Sequence, residues 1–139
     1  MAEGLLKKLV EDNGMKDSFQ IESRATSTWE VGNPPHPGTQ KILKRLGIST
    51  EGMKSEFLTL ADFELFDYII GMDHDNLSYL YKMGSNYKHK IHLFSDIDNN
   101  SLGEIVPDPY YTGKYEETYQ LLSKYMEQWF NFMINENTK

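Results

Sequence analysis

No cysteine occurs among the 139 residues. That excludes a disulfide framework, a thiolate metal site and a cysteine nucleophile carried by this chain itself. No stretch approaches the roughly 18 consecutive apolar residues that a membrane-spanning helix requires. The first residues, Met1-Ala2-Glu3-Gly4-Leu5-Leu6-Lys7-Lys8, lack the profile of a secretory leader, so the sequence predicts a cytoplasmic protein with no membrane partner. Basic charge is also scarce. Against 21 acidic residues stand 14 Lys and Arg, for a net charge of −7 and a pI near 5.0. The basic residues form no long block, a balance that would repel a phosphate backbone and argues against nucleic acid as a partner. The length suits one domain spanning 1–139, with a core of its own, and a monomer is expected.

Hydrophobic spacing supplies the elements. Leu5, Leu6, Leu9 and Val10 share one helical face within 1–13, and Asn13-Gly14 is a stop signal. Residues 19–26, containing Ile21, read as a short strand that runs into a polar loop holding Trp29. The loop continues through Val31-Gly32-Asn33-Pro34-Pro35-His36-Pro37-Gly38, too rich in proline for a regular element. A helix is predicted over 39–46 with Ile42, Leu43 and Leu46 inward, and Thr59-Leu60-Ala61-Asp62 has the spacing of a capping box opening a short helix that ends near Phe66. The apolar run 68–72 reads as a strand, and Asp73-His74-Asp75-Asn76 is suited to cap the helix that follows, with Leu77, Leu80 and Tyr81 inward. Residues 90–94 read as the next strand. Finally Tyr115, Tyr119, Leu122, Met126, Trp129, Phe130 and Met133 recur at three- and four-residue steps, the mark of an amphipathic helix. Alternation of strands and helices predicts an α/β fold with a parallel sheet covered by helices. In such sheets sites form at the carboxyl ends of strands, so the loops bearing Trp29, Asp73 and Asp108 are the candidates.

Val106-Pro107-Asp108-Pro109-Tyr110-Tyr111 is the most informative segment. Two prolines restrict the backbone around a lone carboxylate, which is thereby presented rather than buried, and two aromatic rings follow. A general acid must sit within hydrogen-bond reach of its leaving atom, and a nearby anion helps keep it protonated. On composition alone an ordinary proline-rich turn with surface tyrosines is the stronger account of the same residues.

Four segments, taken in order, change that balance: Met1-Ala2-Glu3-Gly4-Leu5; Val31-Gly32-Asn33-Pro34-Pro35-His36-Pro37; Phe66-Asp67-Tyr68-Ile69-Ile70-Gly71-Met72-Asp73-His74-Asp75-Asn76-Leu77; and Asp108-Pro109-Tyr110-Tyr111. Together they resemble the low-molecular-weight protein tyrosine phosphatases, and the resemblance runs from Met1 into the last helix. It implies a parallel four-stranded sheet flanked by helices, and an activity that hydrolyses phosphotyrosine in proteins or small aryl phosphates without a metal or cofactor. In that family the nucleophilic cysteine and a phosphate-gripping arginine lie in a C-x-x-x-x-x-R-S-P loop, directly before the segment that matches Met1-Ala2-Glu3-Gly4. Neither that loop nor the strand preceding it is found here, so the resemblance implies a chain lacking both and inactive by itself. The candidate explanations are a gene start assigned to an internal methionine and a genuine truncation.

The resemblance also implies roles. Asp108 would protonate the departing tyrosyl oxygen and then activate water. Trp29 and Tyr110 would wall the slot for the phosphotyrosine ring, with Tyr111 beside them. Ser23 would brace the phosphate loop. Asp73 matches a carboxylate near that loop, although helix capping explains it equally well. Where the family commonly has a histidine interacting with the match of Glu3, this chain offers Met53, and His74 is the expected substitute partner. Two other readings stay open. Asp73-x-Asp75 after an apolar strand fits magnesium-dependent phosphatases with an aspartate nucleophile, but the hydroxyl expected two places on is Leu77. A pseudophosphatase that binds phosphotyrosine without turning it over is the other. No spacing among His36, His89 and His92 matches a metal-ligand pattern, so no metal is expected.

Overall fold

The computed structural model describes residues 1–26 and 32–137. Helix α1 spans Ala2–Asp12, α2 Pro37–Arg45, α3 Leu60–Leu65, α4 His74–Met83, α5 Pro109–Thr112 and α6 Tyr115–Asn137. The strands are β1, Ile69–Gly71, and β2, Ile91–Leu93, which pair in parallel with Ile69 opposite Ile91 and Gly71 opposite Leu93.

Local chemistry accounts for most of the boundaries. Helix α2 begins at Pro37, two residues earlier than the apolar spacing indicates, because proline at the first helical position needs no N–H partner and brings a helical φ with it. The Thr59–Asp62 capping box forms as expected, with the Thr59 amide donating to the Asp62 carboxylate at 2.9 Å. Arg24 adds an ion pair to the same carboxylate at 3.2 Å, which ties the segment before the Trp29 loop to α3. Asp73 caps α4 by accepting the Asn76 amide at 2.7 Å. In α4, Leu80 is buried and Leu77 half-buried, but Tyr81 is 39% exposed and faces outward, contrary to the expected inner face.

The sheet seen among the described residues has two strands, against the four that the resemblance implies. The expected strand over 19–26 is extended but makes a single parallel bridge, Ala25 with Phe57, through Ala25 N to Glu56 O at 2.7 Å and Leu58 N to Ala25 O at 3.0 Å. Two bonds at one residue leave Ile21 and its neighbours without a ladder, and a strand is defined by its ladder rather than by extension.

Alternation along the strands sorts the core into two layers. Ile69 and Ile91 turn toward Leu58, Phe63 and Leu80 of the α3–α4 side. Tyr68, Ile70 and Met72 turn the other way, onto Phe94, Val106 and the buried face of α6, where α1 also packs with Leu5, Leu6 and Leu9. The sheet is thus covered on both faces. Gly84 is needed where α4 ends, since a Cβ there would lie 2.2 Å from the Phe63 ring.

His92 shares the α6 layer, its ring 5.3 Å from that of Trp129. Burial is the largest influence on it and lowers its pKa below the ordinary 6.5, while Glu136 and Asp96 pull weakly upward. Below about pH 6.5 the unfolded chain therefore binds a proton that the folded chain resists, and stability falls with pH in that window. Thermal melting between pH 7 and 5 should show this decline. His92→Phe, which keeps an aromatic ring without the titration, is expected to flatten it.

Candidate active site at the carboxyl end of strand β1

The strand β1 ends at Gly71, and the chain beyond it organises the site. The Val106 amide donates to the Met72 carbonyl at 2.8 Å, which holds the loop before Asp108 against the end of β1. Asn76, in the first turn of α4, accepts the Met72 amide through Oδ1 at 3.3 Å and reaches the Thr26 hydroxyl through Nδ2 at 3.5 Å. Three segments distant in sequence, ending at Thr26, beginning at Met72 and leading to Asp108, therefore meet at one edge. Trp29 lies outside the described residues.

Asp108 is exposed and has a local duty. Its carboxylate accepts the Tyr110 amide at 3.0 Å as the N-cap of the short helix α5, with Pro109 at the first helical position. The turn closes at Gly113, whose φ of 70° is one that a side chain would disfavour. This geometry fixes Asp108 at the rim and throws the two rings outward, Tyr110 at 46% and Tyr111 at 72% exposure. The rings meet edge to face at 5.0 Å. Tyr110 also lies against His36, with centroids 4.7 Å apart and planes inclined by 32°. Sequence reasoning considered His36 only as a metal ligand and set that aside. The prolines on both sides of it, which restrict where its ring can point, are the signal that could have found this contact.

The opposite side is formed by the start of α1. The Met1 amino group is largely buried, which lowers its pKa, while the charges of Glu3 and then Asp108 act in the other direction. Two of the carboxylates singled out in the sequence, Glu3 and Asp108, thus act electrostatically on the same group. Burial would raise the Glu3 carboxyl, but contacts from Lys7 and the Ser23 hydroxyl, with the charges of Lys7 and the Met1 amine, outweigh it and hold Glu3 below its ordinary value. The Lys7 ammonium sits 2.6 Å from that carboxylate. Glu3 and Ser23 are therefore brought together. The expected link to His74 is not made: His74 is exposed in the first turn of α4, and the groups acting on Glu3 are Lys7, Ser23 and the Met1 amine. Met53 lines the same groove as Glu3 and Ser23, as its sequence position implied.

Asp73 stands one residue beyond Met72, but its carboxylate is engaged as the α4 cap. Among the described residues no group of three or more His, Asp or Glu side chains is placed to hold a metal ion. No described helix is long and apolar enough to cross a membrane.

The architecture is that of an α/β protein with a parallel sheet covered on both faces. The chain belongs to the low molecular weight phosphotyrosine protein phosphatase family, whose model matches residues 1–139. It is 40% identical over 130 residues to the low molecular weight protein-tyrosine-phosphatase YfkJ of Bacillus subtilis, covering 92% of this chain and 83% of that protein. It is 32% identical over 136 residues to PtpA of Staphylococcus aureus, covering 98% and 86%. The crystal structure of YfkJ superposes with a TM-score of 0.93 at 38% identity over 97% of this chain and 86% of that one. The phosphatase SP-PTP of Streptococcus pyogenes gives 0.79 at 44% identity, over 94% and 81%.

Proposed function

We propose that the chain carries the acid-supplying, substrate-facing part of a protein tyrosine phosphatase acting on phosphotyrosine in proteins or on small aryl phosphates. The observation that carries the reading is the Met72–Val106 bond, which holds the loop leading to Asp108 against the carboxyl end of β1. In the proposed reaction a thiolate attacks phosphorus and the bond from phosphorus to the aryl oxygen breaks. Asp108 gives its proton to that oxygen. In the second half Asp108 takes a proton from water, the water oxygen bonds to phosphorus, and the sulfur–phosphorus bond breaks to release inorganic phosphate. No step uses a metal or a cofactor.

Trp29, Tyr110 and Tyr111 would contact the substrate ring, flat faces of this kind gaining about 0.5–1.5 kcal/mol beyond area burial. Ser23, Glu3 and Asp73 would support the phosphate-binding loop rather than touch the phosphorus. The thiolate cannot come from these 139 residues, which contain no cysteine. In this proposal a C-x-x-x-x-x-R-S-P segment joined ahead of Met1, preceded by a strand that pairs with the ladder-poor segment 19–26 in a four-stranded sheet, supplies it. The protein is then one domain and a cytoplasmic monomer.

The test is hydrolysis of phenyl phosphate by the 139-residue chain and by the same chain carrying that strand and segment. Turnover is expected only from the extended chain, undiminished by a chelator. A folded extended chain without activity would overturn the reading. Turnover by the unextended chain that a chelator abolishes would point instead to the Asp73-x-Asp75 alternative. The missing cysteine also favours a second reading, a phosphotyrosine-binding relic. Micromolar binding of a phosphopeptide to the unextended chain, measured by calorimetry, would support it.

A further inference from the structure

A groove of about 460 Å³ runs along α2, walled by Pro37, Gln40, Lys41 and Lys44 on the helix and by Ile48 and Thr50 on the facing loop. The helix positions recur at three and four residues, so they form one stripe directed into the groove. Among the described residues no carboxylate lines it. Lys41 and Lys44 are exposed and carry no ion pair among the described residues, whereas Arg45, one place further on, is paired with Glu116 at 3.0 Å. Lys7, Lys8, Lys114 and Lys124 are likewise paired with carboxylates. In a chain of net charge −7, these two lysines make a local field of the opposite sign. Their aliphatic stems, with Pro37 and Ile48, supply an apolar floor beneath the charges.

The groove also has a fixed relation to the aromatic rim. Its first residue, Pro37, follows His36 directly, and the His36 ring lies tilted against that of Tyr110 with centroids 4.7 Å apart. From Pro37 to Lys44 the helix advances about 10 Å, the span of roughly three residues of extended peptide.

We propose that this groove binds an acidic peptide segment adjoining the tyrosine held at the Tyr110 rim, with Lys41 and Lys44 pairing with its carboxylates. The part of the proposal that makes the peptide a substrate rests on the phosphatase reading above. The recognition chemistry does not, because the unphosphorylated acidic segment suffices for it. Two cations one turn apart on a stiff helix match carboxylates two residues apart on an extended strand of peptide, whose alternate side chains point the same way. The net charge of −7 adds no general attraction for such a segment, so its docking would depend on these two cations.

Amide NMR of the unextended chain tests this with four tyrosine peptides, Glu- and Asp-rich or their Gln and Asn counterparts, each with and without phosphate. Both acidic peptides are expected to shift the amides of 37–50 at low salt and to lose the effect at high salt. K41E/K44E is expected to abolish the shifts. K41Q/K44Q, which only removes charge at two exposed helical positions, should weaken binding about two- to thirtyfold, the range set by two solvent-exposed ion pairs. Equal affinity of the Gln and Asn peptides, shifts confined to other segments, or unchanged binding by the glutamine variant would overturn the proposal. Phenyl phosphate is the separate control. If it leaves Tyr110 and its neighbours unperturbed in the extended chain while the acidic peptides still shift 37–50, the phosphatase reading fails and the groove assignment stands.

Discussion

Asp108→Asn, made in the chain extended by the C-x-x-x-x-x-R-S-P segment, is expected to lower turnover of phenyl phosphate about 10²- to 10⁴-fold, the usual contribution of a positioned general acid. Asparagine keeps the structural duty of the residue. Its amide oxygen can still accept the Tyr110 amide, as Asp108 does at 3.0 Å, so α5 and the placement of the two tyrosines should survive. What is lost is the transferable proton. A tyrosyl or phenyl oxygen, with a conjugate-acid pKa of about 10, leaves poorly as an anion and needs that proton. A nitrophenyl oxygen leaves readily without it. The drop should therefore be much smaller with p-nitrophenyl phosphate than with phenyl phosphate. Equal losses on the two substrates would mean that the substitution had disturbed the site rather than removed an acid, and Asp108 would revert to a helix cap at the rim.

The largest effect on stability is expected at Trp129. Its side chain is 3% exposed, its indole N–H donates to the Phe94 carbonyl at 2.6 Å, and its ring meets His92, Tyr68 and Phe132 edge-on. Trp129→Ala removes this contact area and leaves a cavity between α6 and the sheet, at a cost of about 3–5 kcal/mol. Set against a typical total of about 5–15 kcal/mol, that is enough to leave the chain marginal. Trp129→Phe separates the contributions, since it keeps most of the ring but abandons a buried carbonyl, at about 1–3 kcal/mol. Denaturant unfolding should therefore find the parent most stable, the phenylalanine variant next and the alanine variant least. A loss below about 1 kcal/mol for the alanine variant would show that the α6 layer repacks freely.

Several local features were legible before any coordinates. The capping box at Thr59, the cap at Asp73 and the inward positions of α6 depend on neighbours within about four residues, where spacing and chemistry are enough. The exposure of the Asp108 carboxylate was legible too, because prolines on either side of it leave few conformations open. The strand predicted over 19–26 failed for the converse reason. Extension is a local property, but a ladder needs a partner, and the only one met there is Phe57 through a single bridge among the described residues. The partner assigned to Glu3 failed similarly. His74 had a suitable side chain, whereas the fold brings Lys7 from the next turn of α1 and Ser23 from the extended segment.

By itself, then, the amino-acid sequence determined most of the helices, the caps at Thr59 and Asp73 and the presented carboxylate at Asp108, since each follows from short-range sterics and hydrogen bonding, while the short helix α5 was not foreseen. It also determined that no thiolate nucleophile resides in these residues. Only the tertiary structure decided which distant segments meet: Val106 on Met72, Asn76 on Thr26, and His36 on Tyr110. Each of these contacts joins residues far apart along the chain. Their formation depends on the fold bringing those segments together, which no local pattern encodes.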